Sequence, residues 1–255
     1  MATAEELVEE AKMLIDEAKK RSLSLRTFGG VAIKYHCPSA SVPPLLRKIA
    51  DIDFFSLSKD AALIKKVFTD FAYVPSERFN ALHGNKRLLF YEPHNNVRRD
   101  IFLDFFEMCH KFDFRKRLAL GKFSIPLADL LMTKLQVVEI EERDYKDTVA
   151  ILLDHELANL DDEETVNKEY IAYICSRDWG IYKTFSQNLQ LILSYLEKSN
   201  LEKKQRKIVE DKIKQLLDAI KAKPKSLKWK IRSLIGEKMS WYDLPEAPKA
   251  IKFGE

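Results

Sequence analysis

The sequence predicts an α+β fold in two parts: a mixed sheet with flanking helices over residues 1–155, then an all-helical part over 156–255. Three observations carry this. Short apolar runs around Ala50–Phe55, Lys86–Tyr91 and Ile101–Phe106 have strand length and composition. After Asp147 that strand signal vanishes. From there the apolar residues recur at helical spacing, with breaks at Gly180, Ser199-Asn200 and Pro224.

Taken in order, Leu7, Ala11, Leu14, Ile15 and Ala18 form the apolar stripe of an opening amphipathic helix. A strand follows over Ile49 to Leu57, then a helix around Asp60 to Phe71. Strands are expected at Arg78 to Leu82, Lys86 to Tyr91 and Asp100 to Glu107. A helix starts near Pro126, a residue suited to a first turn. The second part reads as helices over Thr165 to Cys175, Ile181 to Leu196, Leu201 to Ile220 and Ser226 to Ile235, with a substrate cleft expected between the two parts.

The chain of 255 residues is 46% hydrophobic and can bury a sizeable core. No stretch approaches the apolar length needed to span a membrane, so no membrane partner is expected. The acidic start Met1-Ala2-Thr3-Ala4-Glu5-Glu6 has no signal-peptide character, and three scattered cysteines fit reduced thiols; a cytoplasmic protein is expected. His36-Cys37 and Cys109-His110 match no common zinc spacing.

The chemistry-bearing feature is a set of carboxylates inside apolar runs. Asp51 and Asp53 alternate with Ile52 and Phe54, so in a strand both project to one side. Asp104 lies between Leu103 and Phe105, and a continuous strand over Ile101–Phe106 would give it no solvated face. Like charges that close, removed from water, raise each other's pKa unless a cation lies between them. Shared Mg²⁺ or Mn²⁺ held by oxygen donors is the simplest resolution. Upstream, Gly29-Gly30 allow close backbone approach and can open a helix whose free N–H groups attract phosphate. On the helix after Pro126, Lys134 shares a stripe with Leu127, Leu131 and Val138, so its ammonium either snorkels out or meets an internal anion. Arg143 and Lys146 stand among Glu139, Glu141, Glu142, Asp144 and Asp147, where ordinary surface pairing is the alternative to a binding role.

Gly29-Gly30, then Asp51-Ile52-Asp53, then Asp104 resemble the nucleotidyltransferase superfamily of DNA polymerase β type, and within it the abortive-infection and toxin–antitoxin nucleotidyltransferases. Arg47, four residues before the acid pair, Lys134 and the segment Arg143-Asp144-Tyr145-Lys146-Asp147 extend the likeness, which runs from Gly29 to Asp147. Val31 stands where many members carry Ser or Thr, and Ala150 where the toxin-like members carry a second Asp. The resemblance implies a nucleotidyltransferase-like fold and transfer of an NMP from an NTP to an acceptor hydroxyl. Asp51, Asp53 and Asp104 would be catalytic and hold Mg²⁺ or Mn²⁺. Gly29, Gly30, Arg47, Lys134, Arg143, Lys146 and Asp147 would bind the nucleotide. The acceptor would be RNA or tRNA, a protein or a small molecule, and a cognate antitoxin would be a partner. The alternatives are a nucleotide-binding interaction protein without turnover, and a nucleic-acid-binding adaptor.

The second of these rests on charge. Residues 198–238 carry fourteen Lys or Arg against five Asp or Glu, a local +9 in a chain of net +4. Lys221, Lys223, Lys225, Lys228, Lys230 and Arg232 surround Trp229, a composition suited to phosphate contact with base stacking, or else to a solvated face whose Trp packs inward.

Overall fold

The computed structural model describes residues 2–94 and 97–244. Thr3 opens α1 (Ala4–Lys20) with a capping box: its hydroxyl accepts from the Glu6 amide while the Glu6 side chain accepts from the Thr3 amide. Strand β1 (Arg26–Phe28) runs directly into α2 (Gly29–His36), and β2 (Ile52–Ser56) follows after a loop. Then come α3 (Ala61–Asp70), β3 (Val74–Pro75), α4 (Glu77–His83), β4 (Arg87–Tyr91) and β5 (Arg98–Leu103). Five strands form one mixed sheet in the order β1-β2-β5-β4-β3. Only β2 and β5 are parallel; the other pairs are antiparallel.

Pleat alternation splits the sheet residues between two cores. Ile52, Phe54 and Ile101 pack with Leu7, Leu14 and Phe68 under α1 and α3. On the opposite face Phe28, Phe55 and Phe102 enter a second core. Arg99, wholly buried on the α1 side, is neutralised by a two-pronged bond to Glu10, with both N–O distances 2.6 Å.

Past β5 the chain forms a small hairpin of β6 (Phe105–Glu107) and β7 (Lys111–Asp113), then α5 (Leu127–Leu135) and α6 (Glu142–Asp154). The rest is β8 (Glu156–Ala158), β9 (Thr165–Asn167), α7 (Lys168–Arg177), α8 (Trp179–Lys198), α9 (Lys203–Ala222) and α10 (Leu227–Ile235). Asn167, Asp178 and Ser226 cap α7, α8 and α10 by accepting from backbone amides. The second core runs without a break from Phe28 and Phe55 through Leu131 and Ile151 to Phe185 and Leu216, so it crosses the boundary expected at residue 155.

Three elements differ from expectation. Arg78–Leu82 lies in α4, not in a strand: Asn80 is buried and its side-chain amide both donates to and accepts from the Leu89 backbone, an anchor that a strand pattern does not announce. A parallel two-stranded pair, β8 with β9, interrupts the second part, which is therefore not all helical. Asp100–Glu107 is not one strand, because Asp104 takes a left-handed backbone conformation (φ +62°) and divides β5 from β6.

Candidate active site

The parallel pairing of β2 with β5 sets Asp53 directly opposite Asp100, both on the face turned to the second core. Neighbouring residues in register point the same way, so the two carboxylates are brought side by side. Asp51 lies two residues before Asp53 at the entrance to β2. Burial first, and then repulsion from Asp51 and Asp100, push the Asp53 carboxyl up to about 8. Asp100 is held differently. Arg87 donates to its Oδ1 at 2.8 Å and Arg98 to its Oδ2 at 2.6 Å, so this buried acid is fully compensated.

The glycine pair comes to the same place. Gly29 sits at φ +65°, and a Cβ there would fall 2.6 Å from Asp53 Oδ2; a Cβ on Gly30 would fall 2.9 Å from Arg47 Nη2. Glycine suits the left-handed backbone at Gly29, and at both positions a side chain would force the Asp53 or Arg47 side chain to shift. Among the described residues no side chain caps the N-terminus of α2, and its first turn opens beside Asp53.

Behind the glycines is a cation cluster. Arg47 grips Asp147 with Nε at 2.6 Å and Nη2 at 2.7 Å, and Lys134 Nζ lies 2.9 Å from Asp147 and 3.6 Å from Asp144. Burial would raise the Asp147 carboxyl, but Lys134 and Arg47 outweigh it and hold the group below the usual range. Lys134 and Arg87 also act electrostatically on Asp53, so the acids and the cations share one environment.

Asp51, Asp53, Gly29, Gly30, Arg47, Lys134 and Asp147 are therefore brought together, and Lys134 reaches an internal anion, Asp147, rather than snorkelling to water. Asp104 is not brought to this cluster. It follows β5 four residues after Asp100, about 13 Å along the strand at ~3.3 Å per residue. There its carboxylate accepts from the Ser58 amide at 3.0 Å and the Ser58 hydroxyl at 2.6 Å, which makes it a loop clasp. Arg143 and Lys146 form pairs with Glu141 (3.1 Å) and Glu142 (2.9 Å) on or beside their own helix. Trp229 is half-buried: its ring and that of Tyr182 meet at a steep angle, with centroids 5.1 Å apart, and its Nε1 is buried with no hydrogen-bond partner among the described residues.

Asp100, Arg87 and Arg98 are missing from the sequence-derived set. The signal for Asp100 was present: Asp53 and Asp100 each head an apolar run in what become paired strands. Flanking Arg98 and Arg99 disguise it as a charged loop.

Among the described residues, no three His, Cys, Asp or Glu side chains form a ready-made group of metal ligands. The donors nevertheless fit a divalent cation. Neither the Asp51 nor the Asp53 carboxylate has a hydrogen-bond or ion-pair partner among the described residues, and the half-buried Asp53 is crowded by Asp51 and Asp100 with no cation bonded to it. Comparison with protein-family models gives no match, and neither does comparison with curated proteins.

Proposed function

We propose that the chain is a metal-dependent nucleotidyltransferase that moves an NMP from an NTP to an acceptor hydroxyl. One observation carries this reading: the uncapped glycine-led N-terminus of α2 abuts Asp53, the acid that Asp51 and Asp100 crowd. Phosphate-binding amides and oxygen donors for a cation are rarely needed side by side except where a polyphosphate is bound with its metal.

In this reading the amides of Gly29, Gly30 and Val31 hold phosphate oxygens, and Asp51 and Asp53 hold Mg²⁺ or Mn²⁺. The bound metal would supply charge neutralisation at the reacting phosphate. Arg47 and Lys134 lie close enough behind the glycines to offset further negative charge, steadied by Asp147. The acceptor oxygen forms a new bond to the α-phosphorus, the bond to pyrophosphate breaks, and the hydroxyl proton passes to a base. Asp51, Asp53 and Asp100 stand at this end of the sheet; Asp104, bonded to Ser58, is given no part in the transfer.

The test is transfer of label from α-phosphate-labelled NTPs to components of a cell extract, with mass-spectrometric identification of what gains the nucleotide. Labelling that requires Mg²⁺ or Mn²⁺ and is lost in Asp51→Asn and Asp53→Asn supports the reading. Metal-dependent NTP binding without any transfer would favour a nucleotide-binding interaction protein, and no binding at all would remove the reading.

A further inference from the structure

Helix α10 is unusual in having no buried residue over nine positions. Leu227, Ile231 and Leu234 are 73, 56 and 84% exposed, and their spacing of four and three residues puts them on one stripe. Ile235 continues it, and Met239 beyond the helix is also exposed. At about 100° per residue, Lys228 and Lys230 fall on opposite margins of this stripe. Both are exposed and neither has an ion-pair partner among the described residues.

The inner side of the same helix is firmly held. The Ser226 amide donates to the Ser176 carbonyl at 3.0 Å, and Trp229 packs on Tyr182. Arg232 donates to the carbonyls of Gly236 and Met239 and lies 4.8 Å over the Trp179 ring. The exposed aliphatics are therefore carried on a fixed platform rather than on a frayed end.

Chemistry narrows the occupant. Nucleic acid would use the lysines but leaves three aliphatic side chains in water, and the one aromatic ring of α10 is half-buried against Tyr182. A second copy would set lysine against lysine along the same stripe. A helix with no buried residue is a convex ridge, suited to a flat partner. We propose that α10 docks on an anionic lipid bilayer, with Leu227, Ile231 and Leu234 at the boundary of headgroups and acyl chains and Lys228 and Lys230 at the lipid phosphates. The +9 of residues 198–238, against about −5 in the remainder, turns this end of the molecule toward such a surface. This departs from the expectation of no membrane partner, which rested on the lack of a stretch long enough to span; no described helix is long and apolar enough to cross a membrane. Lying in the interface has no such length requirement.

Co-flotation with vesicles tests this, using the full chain. The wild type is expected to float with phosphatidylcholine vesicles containing one-third phosphatidylglycerol, at low salt, and not with phosphatidylcholine alone. Ile231→Glu with Leu234→Glu should lower that binding about tenfold or more while leaving the melting temperature unchanged, because both side chains are exposed. Lys228→Gln with Lys230→Gln should weaken binding and flatten its salt dependence. Failure of the wild type to float would overturn the proposal. So would flotation insensitive to the Glu pair, or a dimer in light scattering that the Glu pair abolishes while no vesicle binding is seen.

Discussion

Replacing Asp53 by Asn should make the metal-free protein more stable, by an amount that grows with pH. A half-buried acid, crowded by two others, whose native pKa is about 8 against 3.8 in the unfolded chain holds its proton when folded and releases it when unfolded. Its native carboxyl is thus at no disadvantage below about pH 4, and stability is lost as pH rises from there through 8. At 1.36 kcal/mol per pH unit the loss reaches about 3 kcal/mol at pH 6 and about 4 kcal/mol at pH 7, as upper bounds for a rigid site. Asn keeps the shape and removes the charge. The difference in stability between Asp53→Asn and wild type should therefore be near zero at pH 4 and positive at pH 7. About 2 kcal/mol of net gain would raise the melting temperature by ~4–8 °C for a chain of this size. The assay is thermal unfolding of both proteins from pH 4 to 8 in chelator, repeated with Mg²⁺ and a non-hydrolysable NTP. Ligand should stabilise the wild type and leave the variant unmoved. A variant less stable than wild type at pH 7, or a difference flat in pH, would refute the reasoning.

Three further outcomes follow from the same geometry. Lys134→Met leaves Asp147 with Arg47 alone, so it should cost about 1–3 kcal/mol in unfolding free energy and weaken triphosphate binding in calorimetric titration by at least about tenfold. Asp104→Asn should cost about 1 kcal/mol through its Ser58 contacts, since Asn tolerates the left-handed backbone, yet leave the Mg²⁺–NTP melting shift intact. Burial lowers His36 and His110 to about 4 from 6.5, so the unfolded chain takes up protons first as pH falls from 6.5 to 4, and unfolding curves should show stability dropping across that window by about 2–3 kcal/mol per histidine.

Much of the site was legible because it rests on local signals. Period-two alternation placed Asp51 and Asp53 together, the adjacent glycines marked close approach, and a Lys on an apolar helical stripe marked an internal anion. What was not legible depended on pairing or on backbone conformation. Asp100 joins the site only because β2 and β5 run parallel with Asp53 opposite it, and no residue in either strand encodes that partnership alone. Asp104 reads as strand because its neighbours are Leu103 and Phe105, while the positive φ that turns the chain there leaves no trace in composition. Arg78–Leu82 lies in a helix, and the Asn80 side chain fixes it against β4. Trp229 within a lysine run fits either a base-stacking or an inward-packed ring, and the structure packs it against Tyr182 while leaving it half-exposed. The helices of the second part were read to within a few residues, except that β9 takes the first three residues assigned to α7.

The central claim is that Asp51 and Asp53, and not Asp104, hold a divalent cation next to a nucleotide. Electron paramagnetic resonance of Mn²⁺ titrated into the protein with a non-hydrolysable NTP tests it directly. Wild type and Asp104→Asn should both take up Mn²⁺, with the free-ion signal falling in a nucleotide-dependent way, while Asp51→Asn and Asp53→Asn should leave the free-ion signal as it is with nucleotide alone. Uptake undiminished in Asp53→Asn, or lost in Asp104→Asn with the fold intact, would contradict the account.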